Sequence, residues 1–163
     1  MSGGTVTFAP MDNLASPVDR PDRLMPDLRS PPDPVPARTA IRHVAVVEDD
    51  RVMANGLALV LRLWGFEVTI VHDGNRALEA IRAARPDAVL LDLGLPGLSG
   101  LDVARQIRSE AALGDVLLIA LTGFGDEPSR QASAEAGFDR HLMKPVEPER
   151  LRALLGAPDP HAA

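Results

Sequence analysis

Four short stretches hold side chains that could do chemistry together: VVEDD at 46–50, LLDLGLPGLSG at 90–100, LTG at 121–123 and HLMKPV at 141–146. The first crowds Glu48, Asp49 and Asp50 onto the end of an apolar run. Two like charges about 4 Å apart repel by roughly 4 kcal/mol at a protein-surface dielectric, so a cation, a shared proton or open water must offset them. Glu48, Asp49 and Asp92 together would make a set of oxygen ligands suited to Mg²⁺, a hard cation that keeps several waters. A carboxylate beside such an ion can attack a phosphoryl group and form an acyl phosphate. The group in flight spreads charge over three oxygens. The cation, the Thr122 hydroxyl and the Lys144 ammonium could each take one of them. The absence of cysteine excludes disulfides, thiolate catalysis and Cys-ligated metals, and the lack of a histidine pair at ligand spacing argues against a zinc site.

These residues share an edge only if the elements before them are strands of one sheet. From Arg42 onward, apolar runs of strand length alternate with segments of helical period: 43–48 then 52–65, 66–71 then 75–84, 87–93 then 99–110, 115–122 then 127–137, and 140–146 then 147–156. Five such pairs imply βαβ units and a parallel sheet, an α/β fold. Runs such as Val44–Val47, Val89–Leu91 and Val116–Leu121 are apolar on both faces, as strands covered by helices on both sides must be. Helix 52–65 is expected to place Val52, Leu57, Leu59, Val60, Leu63 and Trp64 on a broad apolar face and to stop at Gly65. Capping-type residues are expected to start the helices near Asn75 and Ser99. In open α/β sheets ligands bind outside the carboxyl ends of the strands. There the first strand delivers Glu48-Asp49-Asp50, the third Asp92, the fourth Thr122 and the fifth Lys144.

The remainder of the chain narrows the class. At 163 residues it suits one domain of ordinary size. Hydrophobic content of 45% with only 3% aromatic residues means a core of Val, Leu, Ile and Ala. A net charge of −6 argues against nucleic acid as a direct ligand. No basic segment followed by an apolar run marks a signal peptide, and no run of about 18 apolar residues could span a bilayer, so a soluble, cytoplasmic protein without membrane insertion is expected. Residues 1–40 hold 8 of the 15 prolines, five acids and four arginines, with no surviving period. They read as a largely disordered arm with no specific role, or as a tether or docking segment. Phe8, Leu14, Leu24, Met25 and Leu28 are the apolar residues that could anchor it. The expected boundaries are therefore an arm at 1–40, a domain at 41–156 and a tail at 157–163.

From about residue 41 to 156 the chain resembles the receiver domain of two-component response regulators, stand-alone chemotaxis-like receivers in particular. VVEDD resembles the family's acidic pair, Asp92 in LLDLGLPGLSG its phosphoacceptor, LTG its switch threonine, and MKP its lysine followed by proline. The resemblance implies a flavodoxin-like (βα)5 doubly wound sheet with strand order 2-1-3-4-5. It implies a signalling protein that catalyses only its own phosphotransfer and autodephosphorylation. Mg²⁺-dependent transfer would bring phosphate from a phosphohistidine, on a sensor histidine kinase or a histidine phosphotransfer protein, to Asp92. Asp49 would bind the metal directly and Glu48 largely through water, with Asp92 and the backbone carbonyl of Gly94 completing the protein ligands. Thr122 and Lys144 would hold the phosphoryl oxygens, and Pro145 would shape the lysine loop through a cis peptide.

Several readings stay open on the sequence. The metal pair is Glu48 and Asp49 if the pair follows the strand directly, which leaves Asp50 to cap the next helix; a register one residue later would pair Asp49 with Asp50. Asp87, Asp102 and Asp115 read as solvated or capping acids, and His43 and His72 as surface or strand-edge residues. His141 stands where receivers often carry a Tyr or Phe that swings inward. It is either a titratable part of the output face or an exposed polar strand residue. Gly94 offers no side chain to orient an attacking water, and Phe124 is the other residue placed to influence it. Only GAPDPHAA follows the last helix, so a receiver without an output domain is expected. Phosphorylation is expected to alter the face formed by helix 127–137, strand 140–144 and helix 147–155, which then binds or releases a partner protein. A phosphate sink or relay intermediate, and a phosphorylation-independent interaction module, are the alternatives. A carboxylate-nucleophile phosphatase would want a second acid at position 94, which is glycine.

Overall fold

The computed structural model describes residues 40–123 and 127–157. The expected arm, apart from its last residue, Phe124 and the last six residues of the tail lie outside the described residues. The elements are β1 (His43–Val47), α1 (Arg51–Leu63), β2 (Glu67–Val71), α2 (Gly74–Ala84), β3 (Ala88–Asp92), α3 (Gly100–Ser109), β4 (Leu117–Thr122), α4 (Glu127–Ala136), β5 (Arg140–Met143) and α5 (Pro148–Leu155), with one 3₁₀ turn at Ala111–Leu113. All strand pairs are parallel, and the sheet runs β2-β1-β3-β4-β5. This is the doubly wound, flavodoxin-like α/β arrangement, with the strand order that the resemblance implied.

Side-chain alternation splits the core into two layers. Ala45, Val47, Val89, Leu91, Leu118 and Ala120 face Ala77 and Ile81 of α2 and Val103, Ala104 and Ile107 of α3. The intervening residues Val44, Val46, Leu90, Ile119 and Leu121 face Ala54 and Leu61 of α1 and Leu151, Leu154 and Leu155 of α5. The central strands β3 and β4 are buried along their whole length, which is why they read as continuous apolar runs.

Local chemistry sets the element ends. The Asp50 carboxylate accepts from the N–H groups of Val52 (2.8 Å) and Met53 (3.1 Å), so Asp50 caps α1. Such a cap is worth about 1 kcal/mol. Asp73 caps α2 by accepting from the Asn75 N–H at 2.8 Å, and Ser99 caps α3. Asp87 is exposed, as expected, and caps no helix; one of its oxygens also accepts the N–H groups of Arg42 (2.8 Å) and His43 (3.0 Å) and ties the start of β1 to β3. Arg108 of α3 reaches the carbonyls of Gly114, Val116 and Gly137 and the carboxylate of Asp139, fixing where α4 ends and β5 begins.

The expected apolar face of α1 needs correction. Its buried residues are Ala54, Ala58 and Leu61, with Leu57 and Trp64 packed beside them. Val52, Leu59 and Leu63 are 83%, 60% and 77% exposed. The sheet needs only a narrow stripe of α1, and small alanines let the helix lie close, so these three larger residues fall on the far side. The fifth strand is also shorter than the expected 140–146: it ends at Met143, and Lys144 is the first residue past it.

Two glycines behave oppositely. A Cβ on Gly100 would stand 2.2 Å from the Asp92 carbonyl oxygen, so only glycine lets α3 start beneath the end of β3. A Cβ on Gly56 would meet nothing within 4 Å. Gly100→Ala is therefore expected to lower stability by about 1–3 kcal/mol through overpacking. Gly56→Ala is expected to raise it by up to about 1 kcal/mol through helix propensity. Urea unfolding reads both as midpoint shifts of opposite sign at unchanged m-value.

Candidate functional site

The parallel register brings the singled-out residues to one edge. Asp92 ends β3 and lies opposite Leu121, so Thr122 stands one step further out on β4. Thr122 in turn pairs with Met143, and its carbonyl accepts the Lys144 N–H at 2.8 Å, which carries the lysine to the same rim. Glu48 follows β1, and its own N–H donates to the Val71 carbonyl at 3.0 Å.

At this rim one ammonium bridges two buried acids. Lys144 Nζ is 2.7 Å from Glu48 Oε2 and 3.0 Å from Asp92 Oδ2. Glu48 is only 1% exposed. Burial pushes its pKa up from the ordinary glutamate value, opposed by its hydrogen bond to Lys144. Burial also acts to lower the Lys144 pKa, but the hydrogen bonds to Glu48 and Asp92 prevail and hold it above the usual lysine value. Lys144 is therefore a fixed positive charge at any physiological pH. The other Asp92 oxygen, Oδ1, accepts the Gly94 N–H at 2.9 Å, so both oxygens of this carboxylate have assigned partners.

Asp49 is exposed and completes the cluster: one ligand oxygen each from Glu48, Asp49 and Asp92 lies within 4.8 Å of the others. Three carboxylates against one ammonium leave a formal deficit of two positive charges, which a divalent cation with a preference for oxygen would fill. Asp50 is occupied at the cap of α1, so the acids beside Asp92 are Glu48 and Asp49 rather than the pair one residue later. The Lys144–Pro145 peptide is cis. His72 Nδ1 lies 2.9 Å from the Glu48 carbonyl and so carries its proton there, and His43 Nε2 lies 2.9 Å from Thr69 Oγ1. The hold of His72 on the Glu48 backbone was invisible in sequence, because it joins residues 24 positions apart.

His141 does not fit the exposed-polar reading. It pairs with Ala120 in the sheet, is half-buried, and has Phe138 as a ring neighbour at 6.2 Å. Both ring nitrogens are buried without a hydrogen-bond partner among the described residues. Burial, with the Arg130 charge, lowers its pKa to about 4, so it is neutral near pH 7 and is not an exposed polar residue.

The family profile described as the response regulator receiver domain matches residues 44–156. The chain belongs to that family. Receiver relatives agree at both levels of comparison. The DNA-binding response regulator MtrA of Mycobacterium tuberculosis is 41% identical over 119 residues, which cover 73% of this chain and 51% of MtrA. The receiver domain of the sensor histidine kinase PA1611 of Pseudomonas aeruginosa, solved with a magnesium ion in its active-site cleft, is 34% identical with a TM-score of 0.66, covering 71% of this chain and 95% of that one. The chemotaxis protein CheY4 of Vibrio cholerae is 26% identical with a TM-score of 0.68, covering 72% of this receiver and 98% of CheY4. The receiver spans about half the length of the curated relatives it matches. Among its described residues no helix is long and apolar enough to cross a membrane.

The buried imidazole gives this receiver an acid sensitivity with a definite sign. A pKa lowered from 6.5 to about 4 means that the unfolded chain takes up a proton first. Stability then falls as pH drops through that window. His141→Phe is expected to remove this slope, seen as a smaller loss of urea midpoint between pH 6.5 and about 4, with little change at pH 7.5.

Proposed function

We propose that this receiver accepts a phosphoryl group on Asp92 from a phosphohistidine of a sensor histidine kinase or phosphotransfer protein. The observation that carries the reading is the convergence of a buried carboxylate, an ammonium 3.0 Å from it, and two further acids within 4.8 Å. In the transfer, an Asp92 oxygen forms a bond to phosphorus as the nitrogen–phosphorus bond breaks, and the imidazole leaves with the electron pair of that bond. Glu48, Asp49 and Asp92, with the backbone carbonyl of Gly94, would hold Mg²⁺, which when bound supplies positive charge against the phosphoryl oxygens. Lys144 neutralises a second oxygen, and the Thr122 hydroxyl donates to a third. Gly94 N–H keeps the nucleophile oriented. Pro145 shapes the turn that leads out from Lys144.

The output of the reaction would be altered protein binding on the face of α4, β5 and α5, where Thr122 and Lys144 connect the phosphoryl site to β5. His141 lies on that strand as a neutral packing residue whose position β5 controls. The acceptor reaction belongs in the cytoplasm, where phosphohistidine donors arise. MtrA is a DNA-binding regulator, but the net charge of −6 here favours a receiver that reaches its output through protein contacts. A sink or relay role uses the same chemistry and differs only in where the phosphate goes next.

Intact mass after incubation with acetyl phosphate and Mg²⁺ tests the reading. One added phosphoryl group is expected, dependent on Mg²⁺ and absent in Asp92→Asn; no adduct on the parent chain would sink it. Lys144→Met removes the ammonium that competes for Glu48 and Asp92. It is expected to tighten Mg²⁺ binding on the order of tenfold, the equivalent of 1.4 kcal/mol, while phosphoryl uptake drops. Titration calorimetry measures the first and the mass assay the second. Because burial raises the Glu48 pKa and the metal needs the carboxylate, Mg²⁺ affinity should fall on acidification at a higher pH than an ordinary glutamate would dictate.

A further inference from the structure

Val52, Gly56, Leu59 and Leu63 recur at helical spacing and form one stripe on the solvent side of α1. Single exposed apolar residues are ordinary, but an aligned set marks a contact surface. Gly56 leaves open space in the middle of the stripe, room for another backbone to lie close. Two observations indicate what that backbone is. The first is where the chain enters the fold. The Arg42 carbonyl accepts the Glu67 N–H at 2.8 Å, and Ile41 packs against the layer that holds Leu61, Trp64 and Phe66. The segment before residue 40 therefore leaves the domain beside the Leu63 end of α1. The second is reach. From Leu63 to Val52 the helix rises only about 16 Å, whereas the 12 residues from Leu28 to residue 40 can span about 37 Å when extended.

We propose that the N-terminal segment containing Leu24, Met25 and Leu28 docks along this stripe, running from Leu63 toward Val52. Those three side chains are the leucines and methionine of the arm closest in sequence to the exit point. Five acids against four arginines give the arm almost no net charge to oppose contact. Prolines 21, 26, 31 and 32 restrict the unbound chain and reduce the ordering entropy lost on docking. A short tether gives an effective concentration on the order of millimolar, so a contact of a few side chains is enough to hold it. Val52 lies three positions after Asp49, so a docked arm would end at the rim of the acid cluster.

The test uses the full chain, which has no cysteine of its own. A nitroxide on Ser30→Cys is expected to erase the amide NMR signals of residues 52–63 and to spare α2 and α3. Adding Leu59→Ser and Leu63→Ser, both at exposed positions, should restore those signals without altering the fold. Signals of α1 that survive in the parent, or a loss that the two serines do not reverse, would overturn the proposal. Signal loss transferred between spin-labelled and isotope-labelled copies would also overturn it and assign the stripe to a second copy of the chain. No metal or phosphoryl donor takes part, so this result is independent of the mass assay that tests Asp92.

Discussion

A glutamate as enclosed as Glu48 can stay ionised only if a counter-charge stands beside it, because stripping water from a carboxylate costs several kcal/mol. Lys144 supplies that charge at 2.7 Å and serves Asp92 at 3.0 Å with the same ammonium. The strand order determines what this takes. Lys144 follows β5, whereas Asp92 ends β3 and Glu48 follows β1, two and three places along the sheet. Neighbouring strands are spaced about 4.8 Å apart, so the cation must reach across the end of β4. A four-carbon stem, two acids that lean toward it and a backbone pinned to the Thr122 carbonyl make the span possible. Thr122, buried at the end of β4, stands on the strand between Asp92 and Lys144.

The same bridge explains why backbone details far from any reactive atom matter. Asp92 meets Lys144 correctly only if β3 ends where it does, and α3 must begin directly beneath its carbonyl, in space that Gly100 alone leaves open. Glu48 is held from behind by the Val71 carbonyl and the His72 ring, both on the far side of the sheet from Lys144. The acids are therefore fixed from two directions. The rim is thus anchored to backbone on both flanks, by β2 behind Glu48 and by α3 beneath Asp92.

How much of this was legible in the sequence follows from the range of each interaction. Period and composition are local, so the five strand–helix pairs, the carboxyl-edge acids and the role of Asp50 as a cap could be read directly. Helix ends differ by about a residue from those expected, while the capping residues themselves, Asp73 before α2 and Ser99 before α3, could be read directly. What could not be read came from contacts between distant segments. Asp87 is exposed as expected, but only β1 laid beside β3 brings its oxygen to two backbone N–H groups. His141 looks polar until β4 and Phe138 close over its ring. The apolar residues of α1 looked like core because hydropathy counts them without knowing how wide a stripe the sheet will cover.

That last error is informative, because hydropathy in excess of what packing uses has to be explained by something outside the packed domain. The α1 stripe offers apolar surface along the helix, whereas the carboxyl rim at its start offers an unmet demand for positive charge. Asp50 joins them: it caps α1 through its side chain, and its N–H donates to Glu48 Oε1 at 3.2 Å. Through this one residue the first turn of α1 and the buried acid share a continuous hydrogen-bonded contact, so the outer face of the helix begins where the rim ends.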